Sequence, residues 1–221
     1  MMLCLVTDRR RLAGAMGVGE EASQRILVEQ VSAAAAAGVD LIQIREPDLQ
    51  ADELLSLVRV CVRAIAPFAT RLLVNDRLDV ALVAGAAGVH LKESSMPPQA
   101  VRRLAPNGFL IGASVHSLDR LAARKGADFF LAGTMRPTAS KPGVDYLNED
   151  GLRGMVQATA EPVLGIGGLD VADMPMLAAA GASGMAAVGA FIPSDGEDIT
   201  RFVQDRVRSL RFAFDSTGQR P

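Results

Sequence analysis

The sequence predicts an α/β fold, a (β/α)8 TIM barrel forming one domain over residues 1–221, and three observations favour it. Eight short apolar runs alternate along the chain with segments of helical periodicity. The runs are apolar at nearly every position, which is typical of parallel strands buried on both faces. The length gives about 27 residues for each strand and its helix, close to the minimum for such a unit.

The predicted strands follow one another along the whole chain. They span residues 3–7, 41–46, 71–76, 88–92, 110–115, 129–134, 163–168 and 184–191. Residues 52–65 are predicted to form a helix, because their apolar side chains fall on one stripe. That stripe consists of Leu54, Leu55, Val58, Cys61, Val62 and Ile65.

An internal repeat supports the number of strands. An Ala-Gly or Lys-Gly pair stands just before predicted strands two, four, six and eight, and its glycines are Gly38, Gly85, Gly126 and Gly181. Glycine tolerates the left-handed backbone conformation in which many helices end. We therefore expect each of these glycines to end a helix before the chain returns to the barrel.

Composition and charge exclude several classes of function. The chain is 49% hydrophobic and 22% charged with a net charge of −2, so it lacks the basic face that nucleic-acid binding needs. Cys4 and Cys61 have no partners at metal-ligand spacing and are expected to be reduced core residues. The apolar run 1–6 is too short for a signal sequence or membrane span, which predicts a cytoplasmic protein without membrane contact. The tail 216–221 is expected to be frayed, and the oligomeric state stays open, a homo-oligomer included.

The chemistry of a TIM barrel lies at the carboxyl ends of its strands, so the polar residues that close each strand are the candidates. At the end of strand two, alternation predicts Gln43 and Arg45 on one side of the sheet and Ile44 and Glu46 on the other. An arginine that faces the barrel interior indicates a phosphate or carboxylate ligand, or else a structural ion pair with a neighbouring acid.

Strands three to five end in further polar groups. Asn75 and Asp76 close strand three, and Asp76 could hold a magnesium ion, act as a base or cap the following helix. His116 follows Ser114 at the end of strand five, where an imidazole suits proton transfer near neutral pH. His90 lies within strand four and is expected to be a hydrogen-bonded residue of the core or behind the site.

The last strands predict a phosphate site. Thr138 and Lys141 lie in a long polar loop after strand six that has the profile of an active-site flap, although Lys141 could also be a solvated surface charge. Gly167 and Gly168 close strand seven, and Gly189 lies in strand eight. Glycines at these two strand ends let backbone N–H groups approach a phosphate closely.

Taken together in chain order, these motifs resemble the thiamine phosphate synthase and thiazole tautomerase superfamily. The match runs from Leu5 to Phe191 and consists of Gln43-x-Arg45-Glu46, Asn75-Asp76-Arg77, Gly88-Val89-His90-Leu91, Ser114-x-His116, Pro137-Thr138-x-x-Lys141 and Ile166-Gly167-Gly168. The resemblance implies an enzyme of thiamine biosynthesis that acts on a small phosphorylated thiazole. It also implies that Gly167, Gly168 and the backbone of strand eight hold the phosphate.

Two departures from the synthase pattern distinguish the branches of this superfamily. The synthases usually have a lysine two residues after the arginine, where this chain has Pro47. They also follow Val-His-Leu with Gly-Gln-Glu-Asp, whose aspartate helps to bind magnesium, whereas residues 92–95 here read Lys-Glu-Ser-Ser. The second departure leaves Asp76 as a single carboxylate, a poor magnesium anchor. Both favour the tautomerase branch, whereas Thr138 and Lys141 resemble the synthase flap.

The main hypothesis is therefore a thiazole tautomerase-like isomerase with His116 as its catalytic acid and base and with no cofactor or metal. The substrate-binding residues would be Gln43, Arg45, Asn75, Ser114, Thr138 and Lys141, and the phosphate-binding residues Gly167, Gly168 and Gly189. One alternative is a thiamine phosphate synthase that couples hydroxymethylpyrimidine diphosphate to the thiazole phosphate, with Mg²⁺ at Asp76. A second is a non-catalytic regulator that binds thiazole phosphate. A more distant phosphate-binding barrel, such as an aldolase or an indole glycerol phosphate synthase, is a further alternative.

Overall fold

The computed structural model describes residues 1–137, 146–194 and 196–216. The strands of this part are β1 (Met2–Val6), β2 (Leu41–Ile44), β3 (Arg71–Asn75), β4 (Gly88–Leu91), β5 (Leu110–Val115), β6 (Phe129–Ala132), β7 (Val163–Ile166) and β8 (Gly184–Ala187). They pair in parallel and in chain order, and β8 pairs with β1 to close the barrel. The expected (β/α)8 barrel is confirmed, whereas the extent of the domain over 1–221 stays a prediction.

Several strands end earlier than the sequence predicted, because the backbone at their tips leaves the extended conformation. Asp76 has a φ of 62°, and Gly167 and Gly168 have φ of 101° and 66°, values at which a strand cannot continue. Val188 turns into the helical region and Gly189–Phe191 forms one 3-10 turn, so the predicted end of strand eight at residue 191 is wrong. β1, β2, β4 and β6 end one or two residues before their predicted limits, and β5 ends where predicted.

Helices surround the barrel between successive strands. They are α1 (Arg9–Ala15), α2 (Glu20–Ala36), α3 (Ala51–Ile65), α4 (Leu78–Ala84), α5 (Pro98–Arg102), α6 (Leu118–Leu121), α7 (Glu149–Gln157), α8 (Met174–Ala179) and α9 (Ile199–Asp215). Two more 3-10 turns cover Ala122–Arg124 and Val171–Asp173. The helix predicted over 52–65 is confirmed as α3, whose apolar stripe packs on the outer core.

The four glycines of the internal repeat adopt the expected conformation. Gly38, Gly85, Gly126 and Gly181 all have φ between 73° and 89°. Gly85 is the C-cap of α4, and Gly38 and Gly181 follow the C-cap residues of α2 and α8. Because a β-carbon strains the backbone in this region, the repeat marks the places where the chain reverses toward the barrel.

The apolar core has two layers separated by the sheet. A larger layer fills the space between strands and helices, and a smaller one fills the barrel interior. Cys61 belongs to the outer layer and Cys4 to the inner one, and both are free, fully buried thiols, as predicted. Burial raises the pKa of each thiol to about 12.

The end of the chain is described as far as Ser216, whose hydroxyl donates a hydrogen bond to the Phe212 carbonyl at 2.7 Å. The remainder of the tail predicted to fray, 217–221, lies outside the described residues. Among the helices of the described part, none has the length and apolarity required to cross a membrane.

Candidate active site

A cavity of about 640 Å³ opens at the carboxyl ends of the strands. Predicted residues that line it are Gln43, Arg45, Asn75, His90, Ser114, His116, Gly167, Gly168 and Gly189. Asp76 is not among the lining residues. Thr138 and Lys141 lie outside the described residues. The barrel therefore brings most of the predicted site residues together around one space, as the rule for strand ends requires.

A side-chain amide pair lies at the tips of β2 and β3. Gln43 is 3% exposed, and its Nε2 donates to Asn75 Oδ1 at 2.9 Å. Among the described residues, Gln43 Oε1 is buried and accepts no hydrogen bond. Because an unpaired buried acceptor is costly, this oxygen suits a donor on a bound ligand.

Arg45 follows β2 with its side chain at the cavity, and its backbone is held from behind. Its N–H donates to Thr7 Oγ1 at 3.0 Å, and Thr7 Oγ1 donates to Glu46 Oε1 at 2.6 Å. Within the described part of the chain, the ion pairs do not include Arg45. The predicted alternation is confirmed, since Gln43 and Arg45 face the cavity and Glu46 faces the opposite way.

A buried ion pair stands on that opposite side. The Arg9 guanidinium lies 3.3 Å from Glu46 Oε2 and makes two bonds of 2.7 Å to Asp48. Burial raises the pKa of Glu46, although the hydrogen bonds from Thr7 and Arg9 oppose that shift. The bonds from Arg9 lower the pKa of Asp48. These contacts tie the end of β1 to the end of β2, beneath Arg45.

His116 lies directly after β5 and faces an acid that sequence reasoning did not assign. Its Nδ1 is 3.4 Å from Glu93 Oε2, and its backbone N–H donates to Glu93 Oε1 at 3.3 Å. A carboxylate beside one ring nitrogen orients the imidazole at the cavity. Glu93 comes from the loop after β4, and no local sequence signal pairs it with residue 116.

His90 is a buried, hydrogen-bonded residue of the cavity wall, as its place within strand four predicted. It is 2% exposed, its Nε2 lies 2.9 Å from Ser114 Oγ, and its ring packs near Phe129. It therefore fixes the hydroxyl of Ser114 at the tip of β5.

Asp76, the expected magnesium ligand of the synthase alternative, is bonded to other side chains. Lys92 Nζ lies 2.7 Å from Asp76 Oδ2, and Ser95 Oγ donates to Asp76 Oδ1. Partial burial opposes the ionisation of Asp76, but the bonds from Lys92 and Ser95 outweigh it and lower its pKa. The residue that caps α4 is Arg77, so the capping interpretation of Asp76 is wrong.

Arg124 holds the loop that carries Lys92, Glu93 and Ser95. Arg124 is 3% exposed, and its guanidinium donates to the carbonyls of Lys92 at 2.9 Å and Ser95 at 3.1 Å. Burial lowers the pKa of Arg124, against the charges of Glu93 and Asp76. The position of this loop is therefore set from outside the cavity.

Arg11, which the sequence did not predict as a site residue, places a cation beside the glycines at the ends of β7 and β8. Gly168 N–H and Gly189 N–H have no acceptor among the described residues. A β-carbon at Gly189 would lie 3.0 Å from a guanidinium nitrogen of Arg11, which also lines the cavity. Two free amides and a guanidinium together suit a phosphate. The available signal was that Arg11 follows the tip of strand one.

Comparison with known proteins agrees with this geometry. The sequence profile described as thiamine monophosphate synthase matches residues 5–191. The chain belongs to the thiamine monophosphate synthase family. A relative from Geobacter sulfurreducens is 42% identical over 195 residues, which cover 86% of each chain. A thiamine-phosphate synthase from Pyrococcus abyssi is 38% identical over 165 residues, 74% of this chain and 79% of that one.

Solved structures place this member of the thiamine monophosphate synthase family among known barrels. A thiamine phosphate pyrophosphorylase from Pyrococcus furiosus superposes with a TM-score of 0.78 at 29% identity, covering 98% of this chain and 96% of that one. A 3-hexulose-6-phosphate synthase superposes with a TM-score of 0.66 at 21% identity, covering 96% and 99%, and shows the shared fold alone. The chain thus belongs to a family of thiamine-biosynthesis enzymes, as the motifs indicated.

Proposed function

We propose that this protein is a thiamine phosphate synthase that couples hydroxymethylpyrimidine diphosphate to thiazole phosphate. The observation that carries the proposal is a cavity lined by two sets of residues suited to bind anions. Gly168, Gly189 and Arg11 form one beside β7, β8 and β1, and Arg45 and Lys92 form the other at β2 and β4. A reaction between two phosphorylated substrates needs both. The names of the relatives favour this activity. They do not support the thiazole tautomerase, which was the main hypothesis from the sequence.

The coupling needs positioning and charge stabilisation rather than proton transfer at carbon. The thiazole nitrogen attacks the methylene carbon of the pyrimidine, the carbon–oxygen bond breaks, and its electrons leave with the diphosphate. Arg11 and the two glycine amides would hold the thiazole phosphate, and the Gln43 oxygen would accept a donor from the pyrimidine. Arg45 would stabilise the charge of the departing diphosphate.

Ser114, Thr138 and Lys141 remain proposed ligands. Ser114 Oγ, fixed by His90, is available at the tip of β5. Thr138 and Lys141 would add a hydroxyl and an ammonium from the loop after β6, as in the synthase flap that they resemble.

Magnesium, which the family implies, does not fit the side chains near Asp76. Both of its carboxylate oxygens already accept bonds, one of them from an ammonium group. Among the described residues, no group of three or more His, Cys, Asp or Glu side chains is placed to hold a metal ion. Mg²⁺ takes six oxygen ligands in a near-ideal octahedron, which the side chains around Asp76 do not supply.

A tautomerase remains the second candidate because of one observation, the contact between His116 and Glu93 at the cavity. An imidazole oriented by a carboxylate suits the proton shift that would make the thiazole aromatic. In the synthase, by contrast, His116 would only contact substrate.

An assay with purified protein and both substrates separates the candidates. We expect thiamine phosphate to form, and we expect His116→Ala to keep at least about a tenth of the rate because no proton transfer is lost. Isomerisation of the thiazole carboxylate phosphate that disappears in His116→Ala, without coupling, would instead establish the tautomerase. Tight thiazole phosphate binding without either reaction would establish a regulator.

A further inference from the structure

We propose that the ammonium group of Lys92 supplies the positive charge at the leaving diphosphate, so that the reaction proceeds without a divalent metal ion. The inference rests on the proposed synthase function and concerns the diphosphate end of the same cavity. It makes Lys92 a catalytic residue and Asp76 the residue that positions it.

Lys92 forms an ion pair with Asp76 beside the cavity. Lys92 Nζ lies 2.7 Å from Asp76 Oδ2, and Ser95 Oγ donates to the other oxygen of the same carboxylate. The carboxylate is thus bonded on both sides by residues of one loop. Lys92 also lines the cavity, and its side chain is 53% exposed, so its ammonium group is accessible to a ligand.

The formal charges around Asp76 also support the proposal. The synthase pattern that this chain resembles implies two aspartates around one divalent cation, and their formal charges sum to zero. In this chain the four-residue segment after Leu91 has lysine at its first position and serine at its last, in place of glycine and aspartate. One carboxylate and one ammonium also sum to zero. The two replacements therefore keep the local charge while they remove a metal ligand and add a fixed cation.

The backbone that carries Lys92 is held in place. Arg124 restrains this loop, because it donates to the Lys92 carbonyl at 2.9 Å and to the Ser95 carbonyl at 3.1 Å. An ammonium has three donors, of which Asp76 takes one. The others can bind diphosphate oxygens as the carbon–oxygen bond breaks and negative charge develops on the leaving group. No proton has to move in this step.

The test measures coupling and diphosphate binding in excess chelator. We expect the wild-type protein to keep its rate within about twofold in EDTA. We expect Lys92→Met to lose about 100-fold in kcat and to bind inorganic diphosphate at least tenfold more weakly by calorimetry. Lys125→Met is the matched control, since Lys125 is an exposed lysine outside the cavity lining, and it should match the wild type. Thermal melting reports whether each variant folds, and Lys92→Gln serves as a second variant.

A reversed pattern would overturn the proposal. One such result is wild-type activity that EDTA abolishes and Mg²⁺ restores. The other is that Lys92→Met and Lys92→Gln both couple the substrates and bind diphosphate like the wild type. The double variant Lys92→Gly with Ser95→Asp should gain a dependence on Mg²⁺, and its activity in EDTA at the wild-type level would count against the charge argument. If the protein couples no substrates under any condition, the proposed function fails. The binding measurement then still decides whether Lys92 holds a diphosphate without metal.

Discussion

At the scale of single residues, the contact between Arg11 and Gly189 places a cation where the backbone alone was expected to bind phosphate. The guanidinium lies so close to Gly189 that a β-carbon there would have to shift it slightly. The N–H of Arg11 donates to Asp8 Oδ1 at 3.0 Å, which fixes the start of α1 and so the direction of the side chain.

We expect Arg11→Met to raise the KM for thiazole phosphate about 30-fold with a small change in kcat, because the lost contact binds a part of the substrate that does not react. Steady-state kinetics with the thiazole phosphate varied would measure this. Arg10→Met is the matched control, since Arg10 pairs with Asp48 and Glu20 outside the cavity. Equal effects of the two variants would contradict a specific role for Arg11.

At the scale of elements, the contacts among Thr7, Arg9 and Glu46 join the ends of β1 and β2. The side chains of Arg9 and Glu46 are 5% and 2% exposed, so their hydrogen bonds form away from water. A buried group that loses its partner costs more than a surface pair does.

Glu46→Ala should lower the free energy of unfolding by about 2 kcal/mol, because Thr7 and the Arg9 N–H lose their acceptor. Urea unfolding followed by circular dichroism would measure the loss. Glu29→Ala, on the exposed side of α2, should change stability by less than about 0.5 kcal/mol. A Glu46 variant as stable as the Glu29 variant would show that the buried contacts contribute nothing net.

At the scale of the whole molecule, one thiol reports on each layer of the core. Cys4 lies inside the barrel and Cys61 beneath α3, and burial raises the pKa of both to about 12. Because folding raises the pKa of each thiol, the protonated thiols stabilise the folded state at pH values below the ordinary thiol pKa. This stabilisation is lost as the pH rises from there through the thiol pKa of the folded state.

We therefore expect both thiols of the native protein to react with a disulfide reagent at pH 8 about 1000-fold more slowly than in urea. Spectrophotometric titration of the released thiolate would follow the reaction. Rapid modification of Cys61 alone would show that α3 opens separately from the barrel.

The sequence predicted the barrel well because each strand, each helix stripe and each left-handed glycine is a local pattern. It also predicted that Gln43, Arg45 and His116 share one cavity, since the fold rule places all strand ends together. It missed the pairs of Lys92 with Asp76 and of Glu93 with His116. Those pairs join loops that follow different strands, and no periodicity encodes which loop side chains meet.

The alternation of side chains at the end of β2 separates ligand contact from scaffold packing within four residues. Gln43 and Arg45 can change with the ligand, while Ile44 and Glu46 keep the scaffold intact. The hydroxyl of Thr7 holds position 45 through its backbone N–H, a bond that most residue types could make. A library randomised at positions 43 and 45 should therefore yield mostly folded proteins, and this strand tip is a natural starting point for redirecting the barrel toward new substrates.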